Sequence, residues 1–490
     1  MFHARRYSCS LLIALTVALM AFAEDEPKPV DNQSQLNDKL GKGIETEKNA
    51  CVLLWKAFGP KPEGYRTPLE CFKRLGIEEP PERGDYFVGI SKFVTEHLQL
   101  DPVEYDGVFD QLGSTNRRTW TAADYPFINA WLKVNEKPLA VMIQASKRTQ
   151  FYSPLLSAYH GKERDPLFDT CTPIVNRWRI AAQALCSRAM LRMGEGKPDE
   201  AWSDLMACLR LARLVSRGGS FREALVGYAT EQLASTAMLA YLDRADLTSK
   251  QILEKLDEVR KVASRSGVAE KLDLAERAAI HDALDRLRRG QVGIFNQFEP
   301  NPVPLTVEDL KQLDSVDWGQ LVRSGAAQFD RMVVAMRIPD RSRRVDALNS
   351  LEGEYRGLRR AAREKESGTD RRLLLAYLGT LSSCATMWNN SHDRTEQIHT
   401  NLQLAFALAA YKRDRRVYPA KLDDLAPKYL PSVPHDIFSG KALIYQLADT
   451  GYRLHSVGVN GKDDDGHEHN DRPTGDDIGF AMPIPPQLKP

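Results

Sequence analysis

The sequence is short of the patterns that mark a catalyst. No G-x-S-x-G, G-x-x-x-x-G-K-[ST], H-E-x-x-H or G-x-G-x-x-G occurs in its 490 residues. The strand-to-helix nucleophile turn, the phosphate-cradling loop, the zinc-binding helix and the dinucleotide fingerprint are therefore missing. A site assembled from distant residues would leave no such trace, because catalytic groups converge in space rather than along the chain. Cysteine is scarce at seven residues and no C-x-x-C pair occurs, which argues against a zinc knuckle or a thioredoxin-like centre. Neither sign of charge prevails, with 67 Lys and Arg against 66 Asp and Glu. That balance argues against bulk nucleic-acid binding and against a polybasic membrane surface. Beyond the first 23 residues no apolar run is long enough to span the ~30 Å of a bilayer core.

What is present begins with an export signature. Arg5 and Arg6 supply a positive start, Leu11 to Ala23 is an apolar stretch of 13 residues, and Ala21-Phe22-Ala23 is a small-residue cleavage site followed by Glu24-Asp25-Glu26. This predicts a secretory signal peptide over 1–23 and a protein of the periplasm or extracellular space, with no integral membrane segment after cleavage. Removal of Arg5 and Arg6 leaves 65 basic and 66 acidic residues. Cys51, Cys71, Cys171, Cys186, Cys208 and Cys384 remain, and in an oxidising compartment they either pair as disulfides or pack as buried thiols.

The apolar content of 42% suffices for a sizeable core, and its spacing is mostly helical. A helix ends at Phe58, before Gly59-Pro60-Lys61-Pro62. Thr67-Pro68-Leu69-Glu70 reads as a helix start with Thr67 as N-cap and Glu70 completing a capping box. Further helices fall near 85–99, over 122–147 with a break at Asn135-Glu136-Lys137-Pro138, and at 219–243, 248–264 and 268–290. The clearest hairpin lies at 173–216, where Gly194-Glu195-Gly196-Lys197 turns the chain and Pro198-Asp199-Glu200 opens the second helix. It is faintly like a tetratricopeptide hairpin, but Arg192 stands where that repeat wants an aromatic, and no second copy follows at its spacing. Arginine is dense over 340–372, yet Asp340, Asp346, Glu352 and Glu354 are interleaved with it. That pattern predicts a solvated helix laced with ion pairs rather than a phosphate-binding surface. The fold class expected is mainly α: an irregular helical-hairpin body over 24–390, with a seam near 298–305, and a small C-terminal α+β domain over 391–482, a helix plus a short antiparallel sheet. Residues 483–490 form a tail.

The last segment carries a resemblance. A helix ends in Ala410-Tyr411-Lys412-Arg413-Asp414 and leads to Tyr418-Pro419. A P-x-D-x-x-x-G turn follows at Pro434, Asp436 and Gly440. Strands at Leu443–Leu447 and Tyr452–Ser456 precede Ser456-Val457-Gly458-Val459-Asn460-Gly461, and a Gly/Asp loop closes with Asp476-Asp477-Ile478. This order resembles the soluble domain of the major pseudopilins of type II secretion systems, over about 90 residues. The resemblance implies calcium held by Asp476 and Asp477, with Asn460 in place of the family's loop aspartate and carbonyls near Leu454 and Val457, a set of hard oxygen donors suited to that ion. Asp463, Asp464 and Asp465 lie nearby. Gly461 and Arg472 at the first and twelfth positions rule out an EF-hand reading of Asp463-Asp464-Asp465-Gly466. His467-Glu468-His469 reads as solvated surface rather than as a transition-metal pair. The long apolar helix that polymerises pseudopilins is replaced by several hundred residues of helical protein, so the resemblance implies a shared domain and not a pilus subunit. The whole chain also resembles exported bacterial proteins of this layout, which implies no activity.

These observations favour an exported, non-enzymatic binding or structural protein of the cell envelope with an unidentified protein partner. A secreted hydrolase with a dispersed active site and a secretion-system accessory protein are the alternatives.

Overall fold

The computed structural model describes residues 32–485 apart from 63, 65, 99–101, 158, 161–162, 165, 168–171, 290, 292–310, 364–368 and 470. The expected signal peptide, the seam near 298–305 and the extreme C-terminus lie outside these residues. The protein is mainly α, with a small three-stranded antiparallel sheet near its C-terminus.

Helices α1 (Asn32–Leu40), α2 (Ala50–Phe58), α3 (Leu69–Leu75), α4 (Ile90–Phe93), α5 (Pro102–Thr115), α6 (Pro126–Val134) and α7 (Glu136–Ala145) form the first part. The start of α3 departs from expectation. Thr67 donates its amide to Pro60 O at 3.1 Å, closing the preceding loop, so the chain turns helical later than expected and Pro68 becomes the N-cap. The Thr67 hydroxyl is buried without a hydrogen-bond partner, and the capping box does not form. A two-residue ribbon, β1 (Tyr159–His160) and β2 (Glu163–Arg164), follows.

The expected hairpin is present as α8 (Pro173–Gly194) and α9 (Pro198–Ser216), each opened by Pro in the first turn. Its ionic lock explains Arg192. Arg188 grips the buried Asp204 with Nε and Nη2 at 3.0 and 2.7 Å, and Arg192 Nη1 reaches the same carboxylate at 2.6 Å. Two guanidiniums on one enclosed acid hold the helices in register, where a repeat protein would use aromatic packing. Next come α10 (Phe221–Arg244), α11 (Ser249–Arg260), α12 (Val268–Lys271), α13 (Arg277–Arg288), α14 (Trp318–Met336), α15 (Arg341–Arg363) and α16 (Thr369–Arg415). A π turn over Leu272–Glu276 joins α12 to α13.

Among the described side chains, the arginine-rich helix α15 pairs outward to its neighbours more than along itself. Arg341 Nε and Arg344 Nη2 bind Asp393 of α16 at 2.8 and 3.1 Å, and Glu354 takes Arg331 of α14 at 2.8 Å. The 47-residue α16 runs unbroken through 390–391, so the expected domain boundary falls inside a helix. Its first half helps enclose one apolar cluster, with Leu373, Ala385 and Trp388 beside Phe329 and Tyr355. Its second half supplies Leu402, Phe406 and Leu408 to the main core, which also takes in Trp55, Trp178, Leu205, Tyr452, Leu454 and Met482. The C-terminal segment therefore shares a core with the body.

The sheet has the order β3 (Ile444–Ala448), β4 (Gly451–Ser456), β5 (Ile478–Met482). Two strands were expected; β5 arrives from beyond the acidic loop and pairs with β4 in the register Tyr452↔Met482 to Ser456↔Ile478. Cys51, Cys71, Cys186 and Cys208 are buried free thiols, and burial pushes the Cys51 thiol up to about 12.

Candidate metal centre

Between β4 and β5 the chain makes the loop 457–477, anchored at its base by Asp436. This aspartate is almost fully enclosed. Its Oδ1 accepts from Phe438 N and the Ser456 hydroxyl at 2.9 and 2.7 Å, and its Oδ2 from the Ser439 hydroxyl and Val457 N at 2.9 and 3.2 Å. Four donors satisfy both oxygens, so the Pro434–Gly440 turn is fastened to the end of β4.

The far side of the loop is different. Asp477 has a fully buried side chain. Its Oδ2 accepts from Asp464 N at 3.0 Å and Gly466 N at 2.8 Å, while its Oδ1 is buried without a hydrogen-bond partner. Asp476 repeats the pattern: Oδ2 accepts from Asn460 N at 3.0 Å and Oδ1 is buried and unpartnered. Asp464 Oδ2 accepts from Asp476 N at 3.0 Å and Asn460 Nδ2 at 2.9 Å. Carboxylate oxygens of Asp464, Asp476 and Asp477 all lie within 4.8 Å of one another. Gly458 lets this happen: its φ is +63°, and a Cβ there would sit 2.2 Å from Asp476 O.

Electrostatics follow from this enclosure. Burial raises the pKa of Asp477, opposed by the Gly466 amide, by His455 and by the Asp464 amide. Asp464 is held below the usual carboxylate range by the Asn460 side chain and the Asp476 amide. A second group meets the first at Asp477. The fully buried His455 places Nε2 3.0 Å from Asp463 Oδ1 and 3.6 Å from Asp477 Oδ2. The segment is tied to α16 by Asn401 Nδ2 donating to Ile478 O at 2.8 Å, and by Ile437 N donating to Gln397 Oε1 at 2.8 Å.

Of the residues singled out in the sequence, Asp476 and Asp477 come together and Asn460 adjoins them. Asn460 directs Nδ2 at Asp464 and turns its Oδ1 to Lys462 N at 2.6 Å, so its oxygen does not face the acids. Leu454 is buried in the middle strand opposite Tyr445 and Phe480, and Val457 sits at the strand's end bonded through its amide to Asp436. His467 and His469 do not form a ligand pair; His467 Nδ1 lies 2.7 Å from Asp464 O. The sequence reading missed Asp464 as the third carboxylate, and missed His455. Alternation along β4 puts His455 on the face opposite Leu454, a signal that is readable once the loop is known to fold back over that face. No family model, curated protein or solved structure matches this chain.

Proposed function

We propose that this is an exported binding or structural protein of the cell envelope whose C-terminal loop closes around a calcium ion. One observation carries the cation reading: three carboxylates converge, and two of their oxygens are buried with no donor to satisfy them. An enclosed carboxylate oxygen without a partner is costly, and a hard divalent cation is the natural remedy. The all-oxygen group Asp464, Asp476 and Asp477 suits calcium, whereas the adjoining His455, Asp463 and Asp477 set would suit a borderline transition metal. Bound there, the ion would neutralise the acidic loop and fix β5 to β4, stiffening the face that the segment presents beyond α16. The export reading rests on Arg5-Arg6, the apolar stretch to Ala23 and the Ala21-Phe22-Ala23 site.

The test is thermal unfolding of chelator-stripped protein with calcium or zinc added. Calcium at a hundred times its Kd should add about 2.7 kcal/mol of stability by mass action. Asp464→Ala should remove the calcium response while sparing any zinc response, and His455→Ala should do the reverse. An unchanged melting temperature in calcium for the parent protein sinks the reading. Fractionation of expressing cells checks export separately, since accumulation of uncleaved chain in the cytosol would contradict it.

A further inference from the structure

The helical body has a cleft whose charge is the opposite of the loop's. Three helices end at one place: the residues capping α7, α9 and α11 at their C-termini, Ser146, Arg217 and Lys261, all line a cavity of about 370 Å³. Around it stand Lys147, Arg148, Arg210, Arg213, Arg217 and Lys261, with Leu214 and Val262 supplying an apolar patch. No carboxylate is among the described lining residues. Arg210, Arg213 and Arg217 recur at i, i+3 and i+7, which turns all three to one side of α9.

Part of this positive charge has a structural use. Helix C-termini carry about half a negative charge each, and basic side chains there are stabilising. Arg213 is also spent on Glu231, 2.8 Å away, and Lys261 on Asp257, 2.5 Å away. Arg217 Nη1 donates to Thr149 O at 3.2 Å, a neutral partner that leaves its charge uncancelled. Among the described residues no carboxylate pairs with Lys147, Arg148 or Arg210, and Arg148 and Arg210 are half-buried. Six cations set against two carboxylates and three helix ends leave a surplus of roughly two to three positive charges in one small cavity. Like charges crowded in a partly desolvated cleft repel, and a soluble counter-ion of one charge is too weak a remedy to hold them.

The geometry points to a binding site for a compact polyanion carrying clustered phosphate groups, of the diphosphate type. Guanidiniums present paired N–H donors that match the oxygens of a tetrahedral oxyanion, and lysine adds point charge. The site shares no residue with the acidic loop and stands independently of the cation reading. The phosphate groups belong either to a free small molecule or to the headgroups of an anionic lipid surface, and the experiment separates these sources.

Titration calorimetry of the purified protein with inorganic pyrophosphate should show binding that weakens as salt rises. Vesicles of phosphatidylcholine with and without phosphatidylglycerol form the second arm. The double variant Arg148→Ala/Arg210→Ala should weaken whichever interaction is seen by about tenfold or more. Lys133→Ala/Lys250→Ala removes the same charge from exposed positions elsewhere and should leave it within about twofold. Circular dichroism and melting temperature confirm that both variants fold. Pyrophosphate binding lost in the first double variant assigns a soluble ligand; vesicle binding alone, lost in the same variant, assigns the lipid headgroup. No binding in either arm, or equal weakening by the two double variants, overturns the proposal.

Discussion

Two enclosed carboxylates, one in the helical body and one in the C-terminal loop, are handled in opposite ways. At the crossing of α9, α10 and α16, Glu231 is fully buried between Arg213 and Arg265, with Arg213 Nη2 at 2.8 Å from Oε1 and Arg265 Nε at 2.9 Å from Oε2. His399 lies 3.7 Å from the same carboxylate, and burial together with the two guanidiniums drives its pKa well below the ordinary histidine value. The body thus neutralises its buried acid with its own cations. In the loop, Asp477 is as deeply enclosed but meets only two backbone amides and, at 3.6 Å, His455. Glu231 is neutralised within the fold, whereas two buried carboxylate oxygens of the loop meet no donor. The cleft at the three helix ends is the same imbalance with its sign reversed.

Breaking the neutralised site should have the largest effect. Glu231→Gln leaves the buried Arg213 without a counter-charge and Arg265 with Glu396 alone, and should cost about 3–5 kcal/mol in denaturant unfolding. A loss under about 1 kcal/mol would mean that Arg213 and Arg265 reach water and that the contrast with the loop is false. Disturbing the loop should cost less. Gly458→Ala forces a Cβ to within 2.2 Å of Asp476 O at a φ of +63°, which should remove about 1–3 kcal/mol and weaken the calcium response together. If the variant melted like the parent and bound calcium as well, the loop would not be the tight enclosure described.

A separate, pH-dependent effect concerns a third buried charge, Lys271, whose Nζ donates to Gly218 O. Burial pushes this amine down to about 8, against the pull of Glu223 and Glu276. The unfolded chain keeps its lysine protonated to about pH 10, so between these values it binds more protons than the folded protein. Stability should therefore rise with pH across that window, by at most about 1.4 kcal/mol per unit. Lys271→Met should flatten the rise relative to the parent protein. An identical pH dependence in both would show that Lys271 is hydrated.

Much of the helical architecture was legible because local chemistry decides it. Pro173 and Pro198 open helices and Gly194 to Lys197 turns the chain, all within a few residues of one another, and the hairpin follows. Thr67 failed because a carbonyl seven residues earlier captured its amide, a competition that composition does not display. The capping boxes at Ser220–Glu223 and Thr248–Gln251 form as their spacing allows, yet neither was singled out. Strand β5 was missed because a segment as short as Ile478–Met482 is specified by its partner β4 rather than by its own pattern. At the candidate centre, Asp476 and Asp477 stood out through the order of elements around them. Asp464 and His455 did not, since their role depends on the loop folding back to offer amides to Asp477.

The helix α16 decides how this molecule can be taken apart. At 47 residues it is a rod of about 70 Å, with no interruption where a truncation would be most tempting. Cutting at 390 would leave Trp388, stacked on Phe221 at 4.2 Å, at a frayed end of the body and would hand the excised fragment a frayed end in place of a rigid strut. Any separately expressed C-terminal piece has to start upstream of Thr369, and even then it exposes the face of Phe406 that Trp202 now covers.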